Sequence, residues 1–381
     1  VSSLTGAEPT RAAHPRGRSL TIAVPSVAAG TVMAGGIALA LVLAAAIATG
    51  GLQVERTTDV LIGFMLAGAV LAAAALVAAP RSAAGPLHGG SALLAVALLA
   101  ILTALSIVWS VMPADAWFEA VRTFGYLAVF AAGMALVRLL PRGWPAMVAG
   151  IGAGCLILSA WALLTKVFPA SLAADETYAR LRDPFQYWNS VGLMAAMGVP
   201  PMLWLAARRT GHAALNALAW PALVVLLTSL LLAYSRGALA ALAVGLVAWF
   251  AIVPLRLRGL LALLGAAAGS ALLIAWTFAQ DGLTTDNAPM AARTGAGHAL
   301  GALVLLVCAV LLAVGLAVQF AAAAHPLAPR IRRAAGATAL GGVALVPVIV
   351  LVALAASTHG IGGTISNDWH QLTNVNAQTP A

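Results

Sequence analysis

Apolar stretches of about twenty residues recur along this chain between short polar connectors, and that repetition constrains the fold more than any single motif. A bilayer hydrocarbon core about 30 Å thick is crossed by roughly 20 apolar residues in an α-helix. By that ruler the chain carries eleven spans, near residues 22–49, 58–79, 91–108, 124–140, 146–165, 190–207, 215–234, 237–254, 259–279, 299–320 and 336–357. With 62% hydrophobic residues, 8% charged residues and a mean hydropathy of +1.00, a soluble domain of this length would have no polar shell. The expected fold is all-α, a multi-pass transmembrane helical bundle of about eleven spanning helices. Residues 1–20 read as a basic tail, 21–357 as the membrane domain, and 358–381 as the start of an extracytoplasmic loop. Proline inside several spans (Pro200, Pro201, Pro221, Pro347) is tolerated where neighbouring helices re-satisfy the backbone.

Charge gives the orientation. With the N-terminus inside, thirteen of the twenty Lys and Arg fall on the inner side and seven on the outer, whereas ten of the eleven acids fall outside. Cytoplasmic connectors carry the Lys/Arg excess, so the N-terminus is expected in the cytoplasm. An even span count would spoil this alternation. The basic "RAAHPRGRS" before the first apolar run resembles a signal peptide, but the run that follows is too long for a cleaved segment.

Several classes drop out. The net charge of +9 is dispersed in twos and threes between apolar runs, so nucleic-acid binding is not expected. Cys155 and Cys308 each lie within an apolar run and imply neither a disulfide framework nor a metal site. No G-x-x-x-x-G-K-[ST] occurs, so ATP drive is not implied, and no cofactor is expected. Residues 113–124, "PADAWFEAVRTF", read as a short helix lying in the outer interface ahead of the span at 124–140.

Arginines on the outer side run against the charge rule and need a reason. Arg180 and Arg182 open "RLRDPFQYWNS", and Arg236 sits in the tight "YSRG" turn between two apolar runs. A cation near membrane depth is costly and is usually paired or functional. Guanidinium forks match phosphate oxygens bidentately and remain charged at every working pH. Arginines just outside the hydrocarbon are therefore placed for a lipid-linked phosphate or diphosphate. Tyr187 and Trp188 add flat faces, suited either to sugar rings or to the headgroup belt.

These stretches resemble a known family. "RLRDPFQYWNSVGLMAA" resembles the R-x-x-x-x-F-x-x-x-N loop of the O-antigen ligase and polymerase superfamily, and "YSRGALAAL" resembles its S-R-G-A turn. "WSVMPADAWFEAVRTFGYLAVFAAG" is similar to the upstream segment of its actinobacterial members. The likeness covers roughly residues 95–375. It implies a metal-independent membrane glycosyltransferase of the bacterial cytoplasmic membrane. Such an enzyme moves a glycan from an undecaprenyl-diphosphate donor to an acceptor hydroxyl on the outer face. It further implies Arg180 and Arg236 as the catalytic diphosphate-holding groups, with Arg182, Phe185, Asn189 and Ser235 completing the substrate site. Arg182 stands where the family tolerates small polar residues, so a local pairing with Asp183 or with headgroups is expected of it.

None of the seven histidines matches the family's functional histidine in its large outer loop. The chain is accordingly expected to be the amino-terminal portion of a longer protein, which alone binds a lipid diphosphate poorly and transfers nothing. A transporter or flippase of lipid-linked saccharides is the alternative. It would favour charged residues at mid-membrane, and these spans hold almost none. A structural protein without a ligand leaves Arg180 and Arg236 unexplained.

Overall fold

The structure is a computed structural model, and it describes residues 26–47, 54–78, 89–254 and 256–324. Among the described residues it is all-α. The helices are α1 (Ser26–Ile47), α2 (Val54–Ala78), α3 (Gly90–Ser106), α4 (Pro113–Leu139), α5 (Trp144–Val167), α6 (Pro169–Leu172), α7 (Trp188–Ala207), α8 (Ala213–Leu232), α9 (Arg236–Ile252), α10 (Arg256–Phe278), α11 (Asp281–Thr284) and α12 (Met290–Ala324). Eight of them are long and apolar enough to cross a membrane; the apolar stretches of α1 and α9 are shorter. That architecture suits a multi-pass helical membrane protein. Ten of the eleven expected spans coincide with helices. The eleventh, at 336–357, lies outside the described residues, as do the tail at 1–20 and the loop from 358.

Two expectations are corrected. Residues 113–124 are not a separate interfacial helix but the first turns of the continuous α4. Pro113 at its start is pre-set for a helical φ, and Asp115 in the first turn suits the positive end of the helix. Gly125, where a break would be cheapest, is instead covered by Leu61 of α2. The second correction concerns residues 280–298, the connector expected between the spans at 259–279 and 299–320. They contain the short α11 and the first nine residues of α12, which starts directly after Pro289. At 1.5 Å per residue the 35-residue α12 is roughly 50 Å long. That exceeds the thickness of a hydrocarbon core of about 30 Å, and Arg293, Thr294 and His298 lie in its first turns.

Helix α8 is the axis of the bundle. It is buried around almost its whole circumference, and its neighbours α5, α7, α10 and α12 pack directly on it. In lipid, helices gain little from hiding apolar surface and associate through close packing and interhelical hydrogen bonds instead. Both are present. Ser229 on α8 donates to the Ser159 carbonyl of α5 at 3.0 Å, Ser270 on α10 donates to the Val224 carbonyl at 3.2 Å, and Gln319 on α12 donates to the Ala206 carbonyl at 3.0 Å.

Small residues set the closest approaches. A Cβ on Gly150 of α5 would overlap the Gly35 carbonyl oxygen of α1. Overpacking such a contact costs about 1–3 kcal/mol. Gly150→Leu should therefore prise α1 from α5 and lower the thermal midpoint in detergent by several degrees. Gly245→Leu, where nothing lies within 4 Å, should leave the midpoint unchanged.

Candidate functional site

One end of the bundle gathers the C-termini of α5, α8 and α10 with the N-termini of α7, α9 and α12. The connector at residues 173–187 is pinned there by its apolar side chains. Leu181 is 1% exposed and Phe185 2% exposed, both in a core that includes Leu158, Leu163, Leu232, Leu283 and Leu300. Leu181 also donates its N–H to the Leu232 carbonyl at 3.2 Å. Burial alternates along the connector: Ala179 and Leu181 point in, so Arg180 and Arg182 point out. This is the local reason the two arginines face the recess.

Arg180 is exposed and makes no ion pair or hydrogen bond among the described residues. Its guanidinium instead lies 5.2 Å from the Trp188 ring and 5.9 Å from the Tyr234 ring. The aromatic faces hold the cation in place while leaving its N–H donors unused. Arg182 is tied down. It pairs with Glu176 at 3.4 Å, donates to the Gln186 carbonyl at 3.2 Å through Nη2, and covers the Tyr178 ring at 4.7 Å. Its expected partner, Asp183, instead accepts a hydrogen bond from the Gln186 amide. Burial and the nearby Glu176 charge raise the Asp183 carboxyl above its ordinary range, against the pull of Arg182.

The turn between α8 and α9 completes this end. Tyr234 takes a left-handed φ of 52°, and Ser235 caps α9 by accepting the Ala238 N–H at 3.2 Å. Ser235 is 2% exposed, wedged where a Cβ on Gly192 of α7 would come within 2.7 Å of its own Cβ. Arg236 is exposed at the first position of α9, two residues beyond the tyrosine that Arg180 approaches. Burial pushes the Tyr234 hydroxyl up from its ordinary value, with Arg180 opposing and Asp286 reinforcing. The phenol is therefore neutral, and its O–H is available as a donor. Asn189, in the first turn of α7, donates to the Tyr187 hydroxyl at 2.6 Å.

Of the sequence-derived residues, the structure thus brings Arg180, Arg182 and Arg236 to one end. Arg180 and Arg182 line a recess; Phe185 is a core anchor, Ser235 a helix cap, and Asn189 a brace for Tyr187. Two further cations come to the recess that the motifs did not nominate. Lys166 at the end of α5 donates to the Leu283 carbonyl at 2.7 Å, and Arg293 on α12 donates to the Ala173 carbonyl at 3.1 Å. The signal that could have found them is the one that singled out Arg180: both are cations on the outer side of the charge asymmetry. Asp286 accepts the Ala179 N–H at 2.6 Å and Asn287 donates its N–H to the Thr177 carbonyl at 2.7 Å. Residues 279–293 are in this way stitched onto the 173–187 connector.

The recess is lined by Lys166, Arg180, Arg182 and Arg293, with Glu176 and Asp183 as its acids. Its enclosed volume of ≈ 20 Å³ admits a water molecule or two. Arg180 stands exposed at its rim. Among the described residues no group of three or more His, Cys, Asp or Glu is arranged to hold a metal. Comparison with protein-family models, with curated proteins and with solved structures finds no match to this chain. The functional reading accordingly rests on the residues themselves and on the two motifs.

Proposed function

We propose that this chain is an O-antigen ligase-like membrane protein that receives a polyprenyl-diphosphate-linked glycan at the outer face of the bacterial cytoplasmic membrane, for transfer to an acceptor hydroxyl. The orientation proposed with it has the N-terminus in the cytoplasm and about eleven spans. Under that orientation the Arg180 end faces outward.

The observation that carries the reading is Arg180: a guanidinium with unused donors, steadied by two aromatic faces, beside three further cations and next to the Tyr234–Arg236 turn. A diphosphate leaving group gains negative charge as the glycosyl bond breaks. Preorganised guanidinium groups stabilise that charge without a metal. In this reading Arg180 and Arg236 contact the diphosphate, Tyr234 offers its O–H from between them, and the prenyl tail lies along the helices. Arg182 acts one step back, holding Glu176 and the connector in shape.

The flippase alternative needs a polar path through the bundle. Among the described residues the buried polar groups between the two ends of the bundle are hydroxyls of Ser and Thr, most of them bonded to backbone carbonyls of neighbouring turns or helices, which favours the first reading. Proteoliposomes loaded with a fluorescent prenyl-diphosphate saccharide separate the two. The proposal expects a photoreactive donor to cross-link to residues 178–188 with no chain-dependent acceleration of lipid translocation. Chain-dependent translocation without cross-linking would transfer the assignment to the flippase.

A further inference from the structure

At the end of the bundle opposite the recess lie four arginines on two segments, with Arg208, Arg209 and Arg258 drawn together and Arg256 turned to the Phe250 and Ala251 carbonyls at the end of α9. Residues 208–212 join α7 to α8 and carry Arg208 and Arg209, while Arg256 and Arg258 lie in the first turn of α10. Neither segment contains an Asp or Glu, and none of the four is paired with an acid among the described residues. Arg209 and Arg258 are near enough for their charges to repel.

Arg208 is built into place. Its Nε donates to Oδ1 of Asn216 at 2.6 Å, and its guanidinium lies 5.1 Å from the Trp204 ring. Asn216 is 1% exposed, and its own amide donates to the Thr210 carbonyl at 3.1 Å. Gly211, at φ 88°, folds the connector so tightly that a Cβ there would come within 2.8 Å of Nη2 of Arg208. Arg258 reaches across and donates to the Arg208 carbonyl at 3.4 Å, tying the two connectors together. Both Nη groups of Arg208 are left without an acceptor among the described residues. Burial also pushes the Arg208 guanidinium below its ordinary value, so a counter-anion here relieves an electrostatic cost.

Arg142, in the 140–143 connector between α4 and α5, is an instructive contrast. It is exposed and has no such fixation among the described residues, as expected of a cation that merely reaches for headgroups. Holding Arg208 with a fully buried amide serves a defined ligand better than a diffuse one. The Trp144 and Trp204 rings, 5.1 Å apart beside it, are of the type that sits at headgroup level. A phosphodiester fits the guanidinium fork, and an acyl tail finds apolar helix surface alongside.

We propose that Arg208 and Arg258, with Arg209 flanking, form a binding site for the phosphate of an anionic membrane lipid. The site uses residues apart from the Arg180 recess and stands independently of the function assigned there.

The test is thermal unfolding of the delipidated full chain in detergent, with phosphatidylglycerol, phosphatidylcholine or inorganic phosphate added. Phosphatidylglycerol should raise the midpoint by several degrees beyond phosphatidylcholine, in wild type and in Arg142→Gln alike. The double variant Arg208→Lys/Arg258→Lys, which keeps charge and fold but removes the forks, should lose most of that shift. Arg208→Gln/Arg258→Gln should lose all of it. A full shift in the lysine variant would mean unspecific charge attraction and overturn the proposal. An equal shift from inorganic phosphate alone would replace the lipid with a free anion and overturn it as well.

Discussion

Phe185→Ala should cost about 3–5 kcal/mol, the range for removing a buried aromatic side chain, and should loosen the whole Arg180 connector. The side chain is 2% exposed, in the same cluster as Leu181 and Leu283. Without it, Leu181 is the one large side chain of the connector still buried in the core, and the inward–outward alternation that aims Arg180 loses one of its two apolar anchors. Limited proteolysis in detergent should then cut between residues 173 and 187 at protease concentrations that leave wild type intact. Phe185→Leu, which keeps most of the apolar volume, should restore protection. The resemblance implied a substrate contact for Phe185; its burial predicts instead that the variant's defect appears first as lost protection.

Lys166→Met should release the neighbouring connector. Its ammonium donates to the Leu283 carbonyl at 2.7 Å, and a hydrogen bond from a charged donor is worth about 1.5–3 kcal/mol. Methionine keeps the length and apolar bulk of the side chain but leaves that carbonyl without its donor. Arg293, Asp286 and Asn287 still fasten residues 279–293 elsewhere, so the opening is local. Hydrogen exchange at residues 280–288 should accelerate on the order of tenfold or more, while α8 amides remain at wild-type rates. Loss of protection throughout α8 would show that Lys166 supports the bundle as a whole and does not act as a local fastening.

The parts of this molecule legible in the sequence are those decided locally. Apolar runs of membrane length located ten helices, because burial in lipid needs only length and composition. The charge count over alternate connectors placed Arg180, Arg182 and Arg236 at one end in the same way, whereas the alternation of Ala179, Arg180, Leu181 and Arg182 shows only in the folded chain. Helix ends were less legible. Asp115, Glu119 and Arg122 look like interfacial polarity, yet backbone hydrogen bonds are indifferent to side-chain charge. In the folded chain Arg122 simply pairs with Glu119 at 2.7 Å along a continuous α4. The start of α12 was hidden for the same reason.

Pairings that depend on tertiary curvature were not legible at all. Asp183 is adjacent to Arg182, but adjacent side chains in an extended connector diverge, and the turn brings Glu176 round instead. Lys166 and Arg293 are far apart in sequence and meet only because α12 runs against the end of α5. There Gly297 allows a contact with the Lys166 carbonyl that a Cβ would block.

The central claim is that Arg180 and Arg236 together receive a diphosphate at one end of the bundle. It is tested most directly by titrating a short-chain undecaprenyl diphosphate analogue into the purified chain and its Arg180→Ala and Arg236→Ala variants. If each arginine contributes a charge-assisted hydrogen bond of about 1.5–3 kcal/mol, each variant should bind roughly 10- to 150-fold more weakly than wild type. Equal affinity in all three proteins would contradict the account.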